Sequence, residues 1–209
     1  VNIDKFALTL PEKPHRTEAA RKHFDESGLA GVTFVPGING EKFGLRTVWP
    51  YSVDDRSGKF FCGPHETGIF LSHLMLWVHA MLSCDVCLIL EDDAKLQDGW
   101  KEKADAALRD VPTDFDFLFL GSCATAGAMK DHVKGNVWNV RWPACFHAYV
   151  ISRKGAEYLV ETQRKMFGPC DLMTYVEDPN GGSIASFKQM KVYCALPRMI
   201  DQWNTEIAP

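Results

Sequence analysis

The run "DVCLIL" at 85–90, followed at once by "EDDA" at 91–94, constrains the fold more than any other stretch of this chain. A short, near-continuous apolar run fits a strand covered on both faces, the kind found inside parallel or mixed sheets. Such a strand needs neighbours in the sheet and a layer of helices on each side of it. Its exit into Glu91, Asp92 and Asp93 makes a second demand. Three consecutive carboxylates repel one another, so a bound cation, a basic neighbour or water has to offset their charge.

The rest of the chain supplies those layers. "KFALTL" (5–10) reads as a first strand and "RTEAARKHFDESG" (16–28) as an amphipathic helix, with Thr17 as its cap and Gly28 as its stop. "GVTFVPGING" (31–40) is a second strand running into a glycine-rich turn, and this β-α-β opening predicts a parallel pair. Residues 40–64 hold no sustained period and read as a long loop, a class that is usually functional or mobile. "ETGIFLSHLMLWVHAMLS" (66–83) is apolar around most of its circumference, which predicts a buried helix. "DGWKEKADAALRDV" (98–111) is a surface helix capped by Asp98, and "FDFLFLGS" (115–122) another core strand. "VWNVRW" (137–142) and "CFHAYVIS" (145–152) read as a strand pair, followed by helices at 153–166 and 170–177. "KQMKVYCAL" (188–196) is a last strand before an irregular tail. The reading is one α/β domain over 1–209.

Charge and cysteine usage narrow the classes of function. A net charge of -4 gives no electrostatic reason to expect nucleic acid or an anionic membrane. The longest apolar stretch, Ile69 to Leu82, is broken by Ser72, His73 and His79 and is too short to span a bilayer. A start at Val1 and a stop at Pro209 fit a piece of a longer protein. The 7 cysteines are odd in number and scattered, which favours reduced, buried thiols and a cytoplasmic, reducing setting. "CDVC" at 84–87 reads as a structural thiol pair, because no second Cys or His pair lies at zinc-site spacing.

In a parallel α/β sheet ligands bind beyond the carboxyl ends of the strands, where Glu91, Asp92 and Asp93 fall. Hard oxygen donors suit Mg²⁺ or Mn²⁺, which takes its remaining ligands from phosphate and water, and a cation bridging a diphosphate would neutralise the acids. The alternative is a solvated turn. The pair Asp54–Asp55, with no apolar run before it, reads as such a turn.

"LEDDA" after an apolar strand, preceded by "ETGIFLSHLMLW" (66–77), resembles the signature of glycosyltransferase family 25. In that family a G-x-x-x-S-H-x-x-x-W segment leads into the acidic strand end; the matching positions here are Gly68, Ser72, His73 and Trp77. "FVPGING" (34–40), "HAYVISRKGAEYL" (147–159), "PCDLM" (169–173) and "QWNTEI" (202–207) agree in order along the chain. It also resembles the capsid-decorating glycosyltransferase domains of large algal viruses. The resemblance implies a GT-A fold with a central, mostly parallel mixed sheet flanked by helices. It also implies a UDP-sugar donor, a glycan or glycoprotein acceptor, a divalent metal (Mn²⁺ or Mg²⁺) and inversion at the anomeric carbon. One departure is visible. The family's opening Asn-Leu-x-x-Arg-x-x-Arg segment is "TLPEKPHR" here, which keeps Leu10 and Arg16 but has Thr9 for the Asn.

By the family's D-x-D logic Asp93 is the metal ligand, with Glu91 or Asp92 assisting through water or holding the donor ribose. If the strand continued, Glu91 and Asp93 would share a face and Asp92 would point away. Thr9, Leu10, Pro11, Arg16, Gly37 and Asn39 line the expected nucleotide site, with Ser72 and His73 matched through the helical motif. Asp171 matches a Pro-x-Asp position and reads equally as the catalytic base or a helix N-cap, with Glu177 and Asp178 as fallbacks. His147 either completes the metal shell or packs in the sheet, and Asp201 and Gln202 could close over the donor. Trp49, Tyr51, Trp138, Trp142 and Trp203 include candidate sugar platforms. The 40–64 loop is expected to order on donor binding. Two other classes remain open on these residues: a metal-dependent nucleotidyltransferase or phosphohydrolase, and a non-catalytic sugar-binding module on the same fold.

Overall fold

Strand β3 (Val86–Glu91) shows why the apolar run folds as it does. Cys87 and Ile89 enter one apolar cluster and Leu88 and Leu90 another on the opposite side. The same alternation holds in β5 (Phe117–Gly121) and β8 (Ala148–Ser152). Phe117, Phe119, Tyr149 and Ile151 belong to the first cluster, and Leu118, Leu120, Ala148 and Val150 to the second. A side-chain period of two with both faces apolar requires cover on both sides. Helices α2 (Pro64–Ser83) and α4 (Arg153–Thr162) cover the first face through Phe70, Leu76, Trp77, Ala80, Ala156 and Leu159. Helices α1 (Pro14–Glu26) and α3 (Trp100–Asp110) cover the second through Ala20, Phe24, Trp100, Ala104 and Ala107. These facts come from a computed structural model, which describes residues 3–45, 63–123, 128–162 and 189–203.

The remaining strands are β1 (Asp4–Thr9), β2 (Val32–Pro36), β4 (Ala94–Leu96), β6 (Met129–Lys134), β7 (Val137–Val140), β9 (Val192–Ala195) and β10 (Ile200–Gln202). Among the described residues, eight of the ten strands form one sheet in the order β2-β1-β3-β8-β5-β9-β7-β6. β1 runs parallel to both β2 and β3, as the β-α-β opening predicts. β8 is antiparallel to β3 and to β5, and β7 is antiparallel to β9 and to β6. Only β8 and β7 therefore run against the rest, and the sheet is mixed with most strands pointing one way. β4 and β10 make a separate two-stranded ribbon.

Several expectations need correction. β7 and β8 are not a pair; each takes other partners, because the hairpin partner of β7 is β6. Helix α1 starts at Pro14, ahead of Thr17, with Lys13 at the cap position and no side-chain cap. Proline's preset φ and missing N–H suit the first helical turn. Helix α3 is preceded by Gly99 in the left-handed region (φ 68), so Asp98 does not cap it. The tail is not irregular throughout, since β10 returns to β4. The cysteines are not all reduced: Cys123 and Cys145 form a disulfide. Cys84 and Cys87 are free and buried, as a structural pair should be, and burial pushes both thiols up, which disfavours the reactive thiolate. The helix at 170–177, the 46–62 part of the long loop, Asp54–Asp55, Trp49, Tyr51, Asp171, Glu177 and Asp178 lie outside the described residues.

Candidate functional site

The parallel strands β1, β2 and β3 end at one edge, and the chain segments leaving them meet there. After β1 the chain turns through Leu10 to Lys13, whose N–H donates to the Leu10 carbonyl at 2.8 Å, and enters α1. This puts Arg16, in the first turn of α1, opposite the end of β3. After β2, the Gly37 N–H donates to the Thr9 carbonyl at 2.6 Å, tying the second strand's exit to the first. A Cβ on Gly37 would lie 3.2 Å from both that carbonyl and Ser72 Oγ, closer than side chains ordinarily tolerate.

The helical motif residues acquire distinct mechanical roles. Gly68 lets α2 approach the 37–40 turn; a Cβ there would meet the Ile38 carbonyl at 2.4 Å. Ser72 Oγ donates to its own helix at Gly68 O (2.7 Å) and accepts the Ile38 N–H (2.8 Å), which staples the turn to α2. His73 and Trp77, one helical turn apart, both reach Tyr149 on β8. Trp77 Nε1–H donates to the Tyr149 hydroxyl oxygen at 2.9 Å. The hydroxyl then donates to His73 Nδ1 (2.8 Å), leaving Nε2–H to donate to Glu91 Oε1 at 3.0 Å. His73 is fully buried, and this chain of four groups gives both of its ring nitrogens a partner.

The strand does not continue past Glu91. Asp92 and Asp93 form a turn before β4, so the expected alternation of faces gives way to three separate destinations. Glu91 goes to His73. Asp92 Oδ1 pairs with the Arg16 guanidinium, which lies 3.6 Å from Asp93 Oδ2. Asp93 Oδ2 also accepts from Gln202 Nε2 at 2.9 Å, and the Asp93 carbonyl accepts the Trp203 N–H at 2.8 Å. The charge repulsion is thus met by a basic neighbour and by two neutral donors.

The electrostatics separate the three acids. Burial alone would raise Glu91, but the hydrogen bond from His73, with the Arg16 charge beyond it, outweighs burial and holds the carboxyl below its ordinary value. Burial raises Asp92, with Arg16 pulling the other way. Burial, reinforced by the Glu91 charge, pushes Asp93 up to about 6 against the Gln202 bond and Arg16. Asp92 Oδ2 and Asp93 Oδ1 are buried with no hydrogen-bond partner among the described residues. Two orphaned carboxylate oxygens on adjacent residues are a fitting donor set for a hard divalent cation. Glu91 does not converge with them on one point, since the acids do not form a cluster of three ligand atoms within metal-binding reach.

Other nominated residues are less central. Thr9 is buried and serves through its carbonyl, while Pro11 is exposed at the rim. Asn39 Oδ1 caps the 39–42 turn by accepting the Lys42 N–H at 3.1 Å. Asp201 pairs with Arg198 (2.7 Å) and does not reach the acids; Gln202 does. His147 packs in the interior and donates from Nε2 to the Ile200 carbonyl at 3.1 Å. Trp203 stands edge-on to His23 and under Lys95 Nζ, while Trp138 packs against His132. Tyr149 and the β10 return were not foreseen. Tyr149 lies in the "HAYVIS" segment quoted for its resemblance, but nothing local in that segment marks its hydroxyl as the hub of a network.

Among known proteins, the family model described as "Glycosyltransferase family 25 (LPS biosynthesis protein)" matches residues 4–140. Two proteins called glycosyltransferase 25 family members are similar. One, from Drosophila melanogaster, is 25% identical over 170 residues, which is 75% of this chain and 27% of the relative. The other, from Drosophila pseudoobscura pseudoobscura, is 27% identical over 127 residues, 56% of this chain and 20% of the relative. The chain therefore spans well under a third of the length of these curated relatives. Among solved structures, galactosyltransferase LgtC in complex with donor and acceptor sugar analogs superposes with a TM-score of 0.45 at 10% identity, covering 96% of this chain and 87% of LgtC. A glycosyltransferase involved in glycosylation of the major capsid of PBCV-1 gives 0.45 at 8% identity, covering 94% of each chain. Likeness at this level says nothing of substrate. No helix among the described residues is long and apolar enough to cross a membrane.

Proposed function

Because this chain belongs to glycosyltransferase family 25, whose model covers about two thirds of it, we propose that it moves a hexosyl or deoxyhexosyl unit from a UDP-sugar to a hydroxyl of a glycan or glycoprotein, with inversion. The α/β sheet flanked by helices is the GT-A architecture that membership implies. The observation that carries the reading is the pair of orphaned oxygens on Asp92 and Asp93 at the shared edge of β1, β2 and β3.

Asp93 and Asp92 are the residues that would hold Mn²⁺ or Mg²⁺, with Glu91 kept in place by His73. Such a cation supplies neutralisation of a departing diphosphate. Arg16, the cation already beside the two aspartates, is placed to take a phosphate oxygen once it is released from them, as a planar donor suited to that geometry. Thr9 to Pro11 and Gly37 to Asn39 offer backbone groups along the ends of β1 and β2 to a nucleoside. Ser72 and Gly68 hold the second of these segments in position. Gln202, carried in by β10, fixes the Asp93 carboxylate. Asp171 remains our assignment for the base that accepts the proton of the attacking hydroxyl. Arg16 also supports a second reading, in which its bridge to Asp92 is purely structural and the fold is a non-catalytic sugar-binding module.

Calorimetric titration of UDP, GDP and CMP, each with and without Mn²⁺, tests the proposal and separates the two readings. We expect Mn²⁺-dependent binding selective for UDP, reduced at least tenfold in Asp93→Asn. Absence of nucleotide binding under every condition would overturn the transferase reading and leave the structural one.

A further inference from the structure

A second cluster of ligand groups lies behind the acidic edge and has no part in the proposed transfer. Cys123 follows β5, Cys145 precedes β8, and the two are joined as a disulfide. One ligand atom from each of Cys123, Cys145 and His147 lies within 4.8 Å of the other two, the one such group of three among the described residues. The segments that carry them are held together independently of the disulfide. The Cys123 N–H donates to the Ala144 carbonyl at 3.0 Å, and Ser122 Oγ donates to the same oxygen at 3.2 Å. Gly121 packs so closely that a Cβ there would stand 2.2 Å from His147 Nε2.

The histidine gives the second, independent observation. Its ring is fully buried. Because Nε2 faces the Ile200 carbonyl at 3.1 Å, Nε2 must carry the proton and Nδ1 an open lone pair. Nδ1 has no hydrogen-bond partner among the described residues. An imidazole that gives one N–H to a backbone carbonyl and keeps the other nitrogen bare is the usual arrangement of a metal-binding histidine. A bare buried acceptor otherwise destabilises the fold, because its lone pair has lost water and gained nothing in exchange.

The geometry points to a redox-gated site for a soft divalent cation of the Zn²⁺ type, formed by Cys123 Sγ, Cys145 Sγ and His147 Nδ1 once the disulfide is reduced. A dithiol reductant supplies two electrons and two protons, giving two thiols and its own cyclic disulfide. Metal binding then releases both thiol protons and leaves two thiolates and one neutral imidazole on the ion, with water in the fourth place. The donor set is soft and distinct from the carboxylates of Asp92 and Asp93, which favour Mn²⁺ or Mg²⁺. The oxidised protein offers no thiolate at this position and cannot form the site.

The test is titration of the whole chain with Zn²⁺, and separately with Co²⁺, before and after reduction and removal of the dithiol. The reduced protein is expected to take up one equivalent at least tenfold more tightly than the oxidised protein. The Co²⁺ adduct should show thiolate-to-cobalt charge-transfer absorption. Cys145→Ser should lose that band and bind at least tenfold more weakly, and His147→Gln should weaken binding roughly 10–100-fold. Cys84→Ser/Cys87→Ser should keep the site, which excludes the C-x-x-C pair at the opposite end of β3. If His147→Gln fails to fold, the cysteine variants decide. Equal uptake by oxidised and reduced protein, no uptake after reduction, binding that survives Cys145→Ser, or binding lost in the Cys84/Cys87 variant would each overturn the proposal.

Discussion

Replacing Asp93 by asparagine should make the metal-free protein more stable while removing a proposed metal ligand. Asp93 is 8% exposed, and its carboxyl is pushed from an ordinary 3.8 up to about 6. A shift of about 2 units at roughly 1.4 kcal/mol each is a penalty of about 3 kcal/mol for holding the ionised form in the folded state. The folded value lies above the unfolded one. The carboxyl therefore costs nothing below about pH 4, and the cost develops between about pH 4 and 6 and is complete above about pH 7. Asparagine cannot ionise, and its amide oxygen can still accept the Gln202 bond. For a chain of this size 1 kcal/mol moves Tm by roughly 2–4 °C, so Asp93→Asn should melt roughly 6–12 °C higher than wild type at pH 7.5 in chelator. The two should converge as pH falls below about 4. Added Mn²⁺ should raise the wild-type Tm and leave the variant unchanged. A variant no more stable than wild type at pH 7.5, or an offset constant across pH, would refute the idea that Asp93 is held ionised at a cost.

Two further outcomes follow from the same network. Arg16→Gln strips the partner from buried Asp92, whose carboxyl burial already raises. It should destabilise the fold by about 2 kcal/mol at pH 8 in urea unfolding, and by less as pH falls and Asp92 protonates. Tyr149→Phe leaves Trp77 Nε1 and His73 Nδ1 without their shared oxygen. It should cost about 2–4 kcal/mol in urea unfolding and weaken nucleotide binding by freeing His73 and Glu91, whereas a cost under 1 kcal/mol would mean the network is not a unit.

Much of this architecture was legible in the amino-acid order. The β1-α1-β2 opening, the buried strands β3, β5 and β8 and the buried α2 follow from local apolar periodicity. Ser72, His73 and Trp77 are singled out by their resemblance to a family motif, and the acids by the apolar strand that leads into them. Less legible were the pairing of β7 with β6 and β9, the return of β10 to β4, and the disulfide of Cys123 with Cys145. Each depends on which distant segment arrives alongside, and no local pattern encodes that.

The acids show the division most clearly. Sequence alone determined that Leu88 to Leu90 are buried, that three carboxylates follow them, and which family the pattern resembles. Only the tertiary structure decided what each carboxylate faces: Glu91 meets His73, Asp92 meets Arg16 at 76 residues' separation, and Asp93 meets Gln202 at 109. The physical reason is that burial follows from a repeat a few residues long. The partner of a buried charge, and hence its pKa and its unmet oxygens, follows from how remote strands close on one another.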